Sequence, residues 1–429
     1  MDSLYRNAAE TPVEASFTFD SHILAEALKN LYKRKYDPKK EIDPLLFSEV
    51  SRILGKAVDE GFENPDIEDE FIRQLKSSTE VFSAFKTHRM GRDMAAKLLD
   101  DKGQLKPYRQ FKQDVLPIAS HHIDNWLKTE YNTAVRRAHL AADFERYKRN
   151  ADILPNLRWE PSTSVNKREL HIPFYDRVWA IDDPFWADNF PGSLWNCKCG
   201  LSATDEPLTD NSDIITLDVK PHKGLDGNPA VTGQIFSDDH PYHPADCRHC
   251  PFGKVKPLQI TNSTKDCHNC GKIQTVIQDA EEKAKQRRKD LMKVHYLKVR
   301  DKILDEFGAD SIIKMPILSE HCTGQIKVTP SSLKNTLKGY DHTRSIDSKY
   351  CLLKAMQNPG KLRHDGYQPL GYGKDLTDPQ QQNNVNEKAK RGVTGYNYYL
   401  FDYKGKTWVI GFEVMSGGYE QPYFVALTK

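Results

Sequence analysis

The cysteines of this chain are concentrated in one part of the sequence, and they limit what that part can fold into. Six of the eight lie in three close pairs, which make up one CxC motif and two CxxC motifs. Cys247 and Cys250 are separated by 16 residues from Cys267 and Cys270, a spacing that lets four thiolates surround one tetrahedral ion. Free buried thiols would not explain two such pairs in a polar segment. The sequence therefore predicts a structural zinc site formed by these four cysteines.

The composition excludes several classes of protein. Hydrophobic residues make up 38% of the 429 residues, and no stretch approaches the roughly 20 consecutive apolar residues that a membrane helix needs. The N-terminus lacks the basic flank and apolar run of a secretory signal. A net charge of +2 is too small for a strongly basic nucleic-acid coat. We therefore expect no membrane span, and cysteines that bind metal in a reducing compartment rather than form disulfides.

Changes in residue pattern divide the chain into four predicted segments. Residues 1–155 show the apolar periodicity of helices and are predicted to be an assembly domain. Residues 156–271 are irregular and rich in cysteine and histidine, residues 272–308 are predicted to form a charged connector helix, and residues 309–429 mix helices and strands. The predicted fold class is thus α+β multidomain, with a helical N-terminal half, an irregular middle held by zinc, and a small α+β C-terminal domain with an antiparallel meander.

Local signals predict individual elements at both ends of the chain. In the first segment, Asp43 followed by Pro44 marks the start of a helix, and His121 and His122 are expected on the solvated face of a later, long helix. In the last segment, glycine turns separate the strands of a terminal meander. The predicted strands cover 312–318, 325–329, 398–403, 406–414 and 422–427, the predicted helices cover 331–337 and 349–357, and the glutamine- and asparagine-rich patch at 380–384 is expected in a loop.

The CxC motif at Cys197 and Cys199 has a characteristic context. Arg168 and His171 precede it in an Arg-x-x-His pattern, and an acidic-Pro-Phe-Trp sequence lies between the two motifs. In order and spacing, these motifs resemble those of the phage Mu F-like head morphogenesis family, whose last motif is Asn-Cys-Arg-Cys. Here a lysine replaces the arginine. The resemblance covers roughly residues 117–251.

This resemblance implies a function in phage head assembly. It implies a minor capsid or portal-associated protein whose partners are phage portal and capsid proteins. The location would be the virion or the host cytoplasm, in a phage- or prophage-encoded system. The two CxxC motifs are not part of the family pattern and are a local addition to it.

The residue types also allow a second zinc site, made of two thiolates and two imidazoles. Cys197, Cys199 and His171 would supply three ligands, and either His240 or His243 would supply the fourth. Two other interpretations stay open at this point. In one, the histidines are hydrogen-bonded core residues; in the other, the CxC motif shares a site with one CxxC motif.

Residues 309–429 form a basic module within a nearly neutral chain. They contain 16 basic and 11 acidic residues, a net charge of +5, which favours a ligand with a phosphate backbone. His342, Arg344 and His364 lie in clusters of charged residues. Cleavage of RNA without a metal needs a base, an acid and a cation, and histidine and arginine fit these tasks near neutral pH. Tyr398 belongs to a tyrosine-rich strand that can stack on bases.

The order of helices followed by a terminal antiparallel meander resembles the phage-borne nucleases of the barnase, EndoU, colicin and RelE-like superfamily. This resemblance implies a ribonuclease effector with RNA as substrate and His342 as its helix-associated catalytic histidine. By placement alone it also implies catalytic roles for Arg344, His364, Tyr398 and Thr428. Two other functions stay open: a purely structural head protein whose last module binds partners or nucleic acid, and a zinc-ribbon nucleic-acid binder, which leaves the CxC context unexplained.

Overall fold

Helices dominate the first half of the chain, and a β-sheet dominates the last part. The computed structural model describes residues 17–62, 68–165, 167, 169–214, 219–253, 265–338 and 345–428. By its internal contacts the chain divides into two compact units, Met1–Ala284 and Lys285–Lys429. The predicted α+β fold class is confirmed by this arrangement. No helix within the described ranges is both long and apolar enough to cross a membrane.

The described part of the N-terminal half consists of successive amphipathic helices. They are α1 (Ser21–Tyr32), α2 (Pro44–Gly61), α3 (Asp69–Ala95), α4 (Tyr108–Ser120) and α5 (Lys128–Arg149). The predicted start of α2 is confirmed, because the carboxylate of Asp43 accepts hydrogen bonds from the N–H groups of Leu45 and Leu46, both at 3.1 Å. Pro44 occupies the first turn of the helix, where its missing N–H costs nothing.

Helices α2, α3 and α5 share one hydrophobic core with segments that follow them much later in the chain. Phe47, Phe82 and Ala138 are buried in this core together with Phe236 and Ile273. Because these side chains are removed from water, packing of the later segments onto the helices is favourable. The irregular middle segment is therefore ordered partly by packing onto the helices and does not depend on metal binding alone.

A π-helical turn, His121–Leu127, joins α4 to α5. In this turn the ring of His122 points inward, where it is 1% exposed and its Nε2 lies 3.0 Å from Asp93 Oδ2. The prediction of a solvated His122 is therefore wrong, whereas His121 is partly exposed. The wider π turn changes which side chains face the core, and a regular helical periodicity does not anticipate that change.

The burial of His122 predicts a loss of stability at acidic pH. Burial lowers the pKa of His122 from 6.5 to about 4, although the hydrogen bond with Asp93 opposes this effect. Because the folded-state pKa lies below the unfolded-state pKa, the unfolded chain binds more protons, and stability present above about pH 6.5 is lost as the pH falls towards about 4. The loss should be about 3 kcal/mol. Denaturant titrations across this range should show it in the wild type and not in His122→Gln; equal pH slopes would contradict the assignment.

Arg137 on α5 holds loops of the middle segment against the helices. Its side chain is fully buried, and its guanidinium donates hydrogen bonds to the backbone carbonyls of Gly192, Leu225, Gly227 and Ile235 at 2.8 to 3.2 Å. The planar fork of N–H donors suits arginine for joining several carbonyls at once. One side chain thus links α5 to two separate stretches of the chain.

Replacing Arg137 by Ala should lower the free energy of unfolding by about 3 kcal/mol or more, because the buried carbonyls lose their donors. Arg146 lies on the same helix, where its exposed side chain pairs with Asp143 at 2.6 Å. Arg146→Ala should cost less than about 1 kcal/mol, as is usual for surface ion pairs. Chemical denaturation of both variants tests this contrast. Similar losses for the two substitutions would show that the buried hydrogen bonds do not stabilise the fold.

The middle segment contains a small antiparallel sheet with the strand order β2-β1-β3. Its elements are β1 (Asn156–Glu160), a 3₁₀ turn (Glu169–Phe174), β2 (Val178–Ala180), α6 (Phe185–Asp188), β3 (Gly200–Thr204) and α7 (Pro229–Thr232). Trp159 on the central strand pairs with Leu201 across the sheet and packs against Phe174 and Trp186. This buried aromatic cluster forms a separate hydrophobic core within the middle segment, next to β3.

The second unit combines a six-stranded sheet with helices. Its elements are the end of α8 (Gly271–Phe307), then β4 (Ser311–Lys314), β5 (Gln325–Val328), α9 (Pro330–Lys338), α10 (Ile346–Gln357), β6 (Arg363–Pro369), α11 (Pro379–Lys390), β7 (Val393–Tyr403), β8 (Lys406–Met415) and β9 (Tyr419–Leu427). The strand order is β4-β5-β9-β8-β7-β6, and the antiparallel meander predicted at the end is confirmed as β7, β8 and β9. Apolar side chains on one face of the sheet form a core with α9 and α10.

The glutamine- and asparagine-rich patch differs from its prediction. Residues 380–384 lie in α11 and not in a loop. The carboxylate of Asp378 caps the helix by accepting hydrogen bonds from the N–H groups of Gln380 (2.8 Å) and Gln381 (3.4 Å). Pro379 occupies the first turn. The helix buries none of its side chains fully, so it lacks the apolar stripe by which a sequence reveals a helix.

Candidate metal centre

Three potential metal ligands meet beside the aromatic core of the middle segment. His171 lies in the 3₁₀ turn, and Cys197 and Cys199 lie directly before β3. The preceding Asn196 has φ +56°, a left-handed conformation that asparagine tolerates, and its N–H donates to Thr133 Oγ1 on α5 at 3.1 Å. Helix α5 therefore fixes the loop that carries both thiols.

The imidazole of His171 is the centre of this group. Its Nδ1 lies 3.4 Å from Cys197 Sγ and 3.5 Å from Cys199 Sγ, and its Nε2 lies 3.2 Å from Ser193 Oγ. The edge of Trp159 contacts the ring, with 5.1 Å between the two centroids. His171 and Cys199 are fully buried, and Cys197 is 4% exposed. One ring nitrogen therefore faces both sulfurs while the other is held by a neighbouring hydroxyl.

The two thiols have opposite acid–base tendencies. The hydrogen bond from Cys199 and the neighbouring His171 lower the pKa of Cys197 below its usual range, although burial acts against this. The same hydrogen bond, together with burial, raises the pKa of Cys199. The backbone N–H of Cys199 also donates to Cys197 Sγ at 3.4 Å. Cys197 is therefore the thiol that ionises first, as a metal-binding thiolate must.

The group fits a zinc ion by the chemistry of its donors. Two thiolates and one imidazole are ligands that zinc prefers, and all three ligand atoms lie within 4.8 Å of one another. The serine hydroxyl at Nε2 provides the outer contact that commonly orients a ligating histidine. A bound ion would join the 3₁₀ turn to the start of β3. Arg168, the first residue of the sequence pattern, lies outside the described residues.

His240 and His243 occupy different surroundings from those of the His171 group. The ring of His240 is 1% exposed and packs edge-on against Phe82, with 4.8 Å between the centroids. Its Nδ1 accepts a hydrogen bond from the N–H of Tyr242 at 3.2 Å. Neither histidine is among the described residues that gather with His171 and the CxC thiols.

The two CxxC motifs form similar turns in the same region. In each, the N–H of the second cysteine donates to the carbonyl of the first: Cys250 to Cys247 at 3.4 Å, and Cys270 to Cys267 at 3.3 Å. Burial raises the pKa of Cys250, and the nearby thiolates of Cys270 and Cys247 add to this effect. Cys250 and Cys267 therefore each lie within electrostatic reach of a thiol of the other motif. Within the described ranges, however, no three of the four cysteines have sulfurs gathered within 4.8 Å, and their zinc site stays a prediction.

The candidate catalytic residues of the second unit are spread over the sheet. His364 is partly buried on β6, and its Nε2 lies 3.2 Å from Asn397 Oδ1. Tyr398 lies on the other face of the neighbouring strand and donates to Gln368 Oε1 at 3.0 Å. Thr428 lies directly after β9, and its hydroxyl donates to the backbone carbonyl of Thr407 on β8 at 2.9 Å. His342 and Arg344 lie outside the described residues.

Several residues at these sites have no motif by which the sequence would reveal them. Ser193 and Tyr175 flank the His171 group, and neither belongs to a recognisable motif. Asp238, Asp266 and His268 form a second group whose ligand atoms lie within 4.8 Å of one another. His268 lies within the second CxxC motif, and this position marks it as a potential ligand. Spacing rules that consider only cysteines do not identify it.

Two curated proteins are similar to part of this chain. One, named "Putative capsid assembly protein F", comes from Escherichia phage Mu and is 30% identical over 77 residues, which are 18% of each chain. The other, named "Mu-like prophage FluMu F protein", comes from Haemophilus influenzae and is 28% identical over 80 residues, 19% of each chain. The chain thus matches about a fifth of the length of these relatives. No protein-family model and no solved structure matches it.

Proposed function

We propose that this chain is a phage head morphogenesis protein of the Mu F type, a minor component associated with the portal. The main support is the local similarity to two F proteins, one of them named as a capsid assembly protein. The residues that carry the motif pattern support it as well, because His171, Cys197 and Cys199 come together as one buried group. Three residues of a pattern that is spread over the sequence thus meet at one place in the fold.

The helical first half is the proposed binding region for portal and capsid proteins. It contributes long helices, and no group of potential metal ligands lies among its described residues. We keep the division into residues 1–155, 156–271, 272–308 and 309–429 as part of the proposal. A phage- or prophage-encoded protein of this kind would be located in the virion or the host cytoplasm.

Zinc is the proposed metal of the middle segment, with a structural role. His171, Cys197 and Cys199 would hold one ion, and Cys247, Cys250, Cys267 and Cys270 would hold another. Four thiolates leave no open position on a zinc ion, so the site of the two CxxC motifs would contribute to folding and not to catalysis. The ion at His171 would join the 3₁₀ turn to the start of β3, beside the aromatic core of the segment.

The assembly function is tested by following the full chain through particle formation. The phage or prophage that encodes the chain is given a tagged copy, and procapsids, filled heads and the soluble fraction are separated by sedimentation. We expect the tagged chain to co-sediment with head intermediates. A chain that stays in the soluble fraction at every stage would contradict the proposal.

A metal-independent ribonuclease in the second unit is a second candidate function. Its support is a polar network around His364, which contacts Asn397. The amide of Asn397 donates to the carbonyl of His321 at 2.9 Å, and the ring of His321 stacks on Tyr367 with 4.2 Å between centroids. His364 and His321 therefore both contact Asn397, and the side chain of His321 is half exposed.

A buried carboxyl group lies behind this network. Glu420 is fully buried and accepts hydrogen bonds from the Tyr399 hydroxyl (3.0 Å) and the N–H of Thr323 (3.0 Å). Burial raises the pKa of Glu420. Titratable groups with altered pKa values near a surface histidine are typical of acid–base sites. We propose that His342 and His364 act as acid and base, and that Arg344 stabilises the phosphate.

A further inference from the structure

Three polar side chains converge in the segment between β3 and α8. Asp238 Oδ1 lies 3.0 Å from His268 Nδ1 and 3.6 Å from His243 Nε2. The side chain of His243 is completely buried, that of His268 is 9% exposed, and that of Asp238 is 15% exposed. These residues are separate from the His171 group and from the four sulfurs of the CxxC motifs.

The facing atoms of these residues are not satisfied by hydrogen bonds. Among the described residues, Asp238 Oδ1 and both ring nitrogens of His243 and His268 are buried without a hydrogen-bond partner. Buried polar atoms without a hydrogen-bond partner are costly and rare in folded proteins, so several in one place require an explanation. Asp238 and His268 are close enough for a hydrogen bond, but the angles at the contact are not those of a hydrogen bond. Asp238 Oδ1 and His268 Nδ1 are therefore two facing atoms that a shared ligand would satisfy.

The surrounding contacts hold these atoms in place. The second carboxylate oxygen of Asp238, Oδ2, accepts a hydrogen bond from the N–H of Cys267 at 2.6 Å. Lys265 Nζ donates to the carbonyls of Asp238 (2.7 Å) and Pro244 (3.1 Å). The ring of His243 packs against Phe85, with 4.5 Å between the centroids. The unsatisfied Asp238 Oδ1 therefore faces one nitrogen of each ring, His268 Nδ1 and His243 Nε2.

We propose that Asp238, Asp266 and His268 bind a divalent transition-metal ion of the zinc class, beside the buried ring of His243. Zinc bonds of about 2.0–2.2 Å in tetrahedral geometry place ligand atoms about 3.3 Å apart, and Asp238 Oδ1 lies 3.0 Å from His268 Nδ1. Imidazole nitrogens select zinc and similar ions over calcium or magnesium. The ligand atoms of Asp238, Asp266 and His268 lie within 4.8 Å of one another.

The proposed ion would have a definite place in the fold. It would join the segment at Asp238 to Asp266 and His268, the latter three residues before α8 begins. Asp266 already accepts hydrogen bonds from the backbone and side-chain N–H groups of Asn269, which keep its carboxylate near the site. The site is built from nitrogen and oxygen ligands only, so spectroscopy distinguishes it from the thiolate sites.

Cobalt binding to the full-length chain tests this proposal. Metal-free protein is titrated with Co²⁺, and the bound cobalt per chain is measured together with the near-ultraviolet charge-transfer band of cobalt thiolates. Asp238→Asn, which keeps the side-chain volume, and His268→Gln should each lose one equivalent of cobalt and keep the thiolate band. His139→Ala, which removes a half-exposed histidine of α5, is the control and should keep all the cobalt.

Two results would overturn the proposal. Unchanged cobalt content in either variant would show that its side chain is not a ligand. Loss of cobalt together with the thiolate band would show that these residues only support the cysteine sites. Circular dichroism of each metal-free variant identifies one that fails to fold, and the other variant then decides.

Discussion

Replacing Cys197 by Ser should remove one equivalent of zinc from the purified chain and lower its free energy of unfolding by about 3 kcal/mol or more. Serine is a poor zinc ligand, and its hydroxyl would be left in a site where Cys197 is 4% exposed. The 3₁₀ turn with His171 and the start of β3 would then lose their common ion. Elemental analysis and chemical denaturation of the full chain measure the two effects.

A matched substitution controls for the loss of a buried sulfur. Cys351 is fully buried in the core of the second unit and belongs to none of the cysteine pairs. Cys351→Ser should leave the zinc content unchanged. If Cys197→Ser also retains every equivalent of zinc, the His171 group is not a metal centre and its buried thiols have a packing role only.

Replacing His364 by Ala should reduce RNA cleavage by the full chain by a factor of about a hundred to ten thousand, the usual cost of removing a general acid or base. His342→Ala should have an effect of the same order. His295→Ala is a control in the same unit, because this histidine contacts Tyr350 and is not part of the His364 network. Gel analysis of labelled RNA with each variant measures the rates.

The same assay separates the ribonuclease from the metal sites. Chelation of zinc should leave cleavage intact as long as the second unit stays folded, because the paired cysteines all lie before residue 271. Equal rates for wild type and His364→Ala would remove this histidine from the proposed mechanism. An inactive wild type would favour the purely structural function.

Local sequence patterns predict those elements that depend on residues close together in the chain. The cap at Asp43 and the meander of β7, β8 and β9 follow from capping residues, alternation and glycine turns, and the structure contains them. The inward ring of His122 depends on a π turn, and α11 is polar on all sides, so neither leaves a periodic signal.

The metal centre, too, could be predicted only in part, because some of its features depend on tertiary packing. His171, Cys197 and Cys199 were singled out by their motifs, and the fold brings them together. The sequence leaves the fourth ligand open between His240 and His243, because only tertiary packing places His240 among aromatic rings. The convergence of Asp238 with His268 joins residues 30 positions apart and has no sequence signature.

The yield of infectious particles tests the central claim most directly. In the phage or prophage that encodes the chain, the gene is disrupted and then complemented in trans with wild type, Cys197→Ser or Cys351→Ser. Head assembly by a metal-dependent Mu F-like protein predicts that wild type and Cys351→Ser restore the yield of particles, whereas Cys197→Ser does not. An undiminished yield of infectious particles after disruption alone would contradict a function in head assembly.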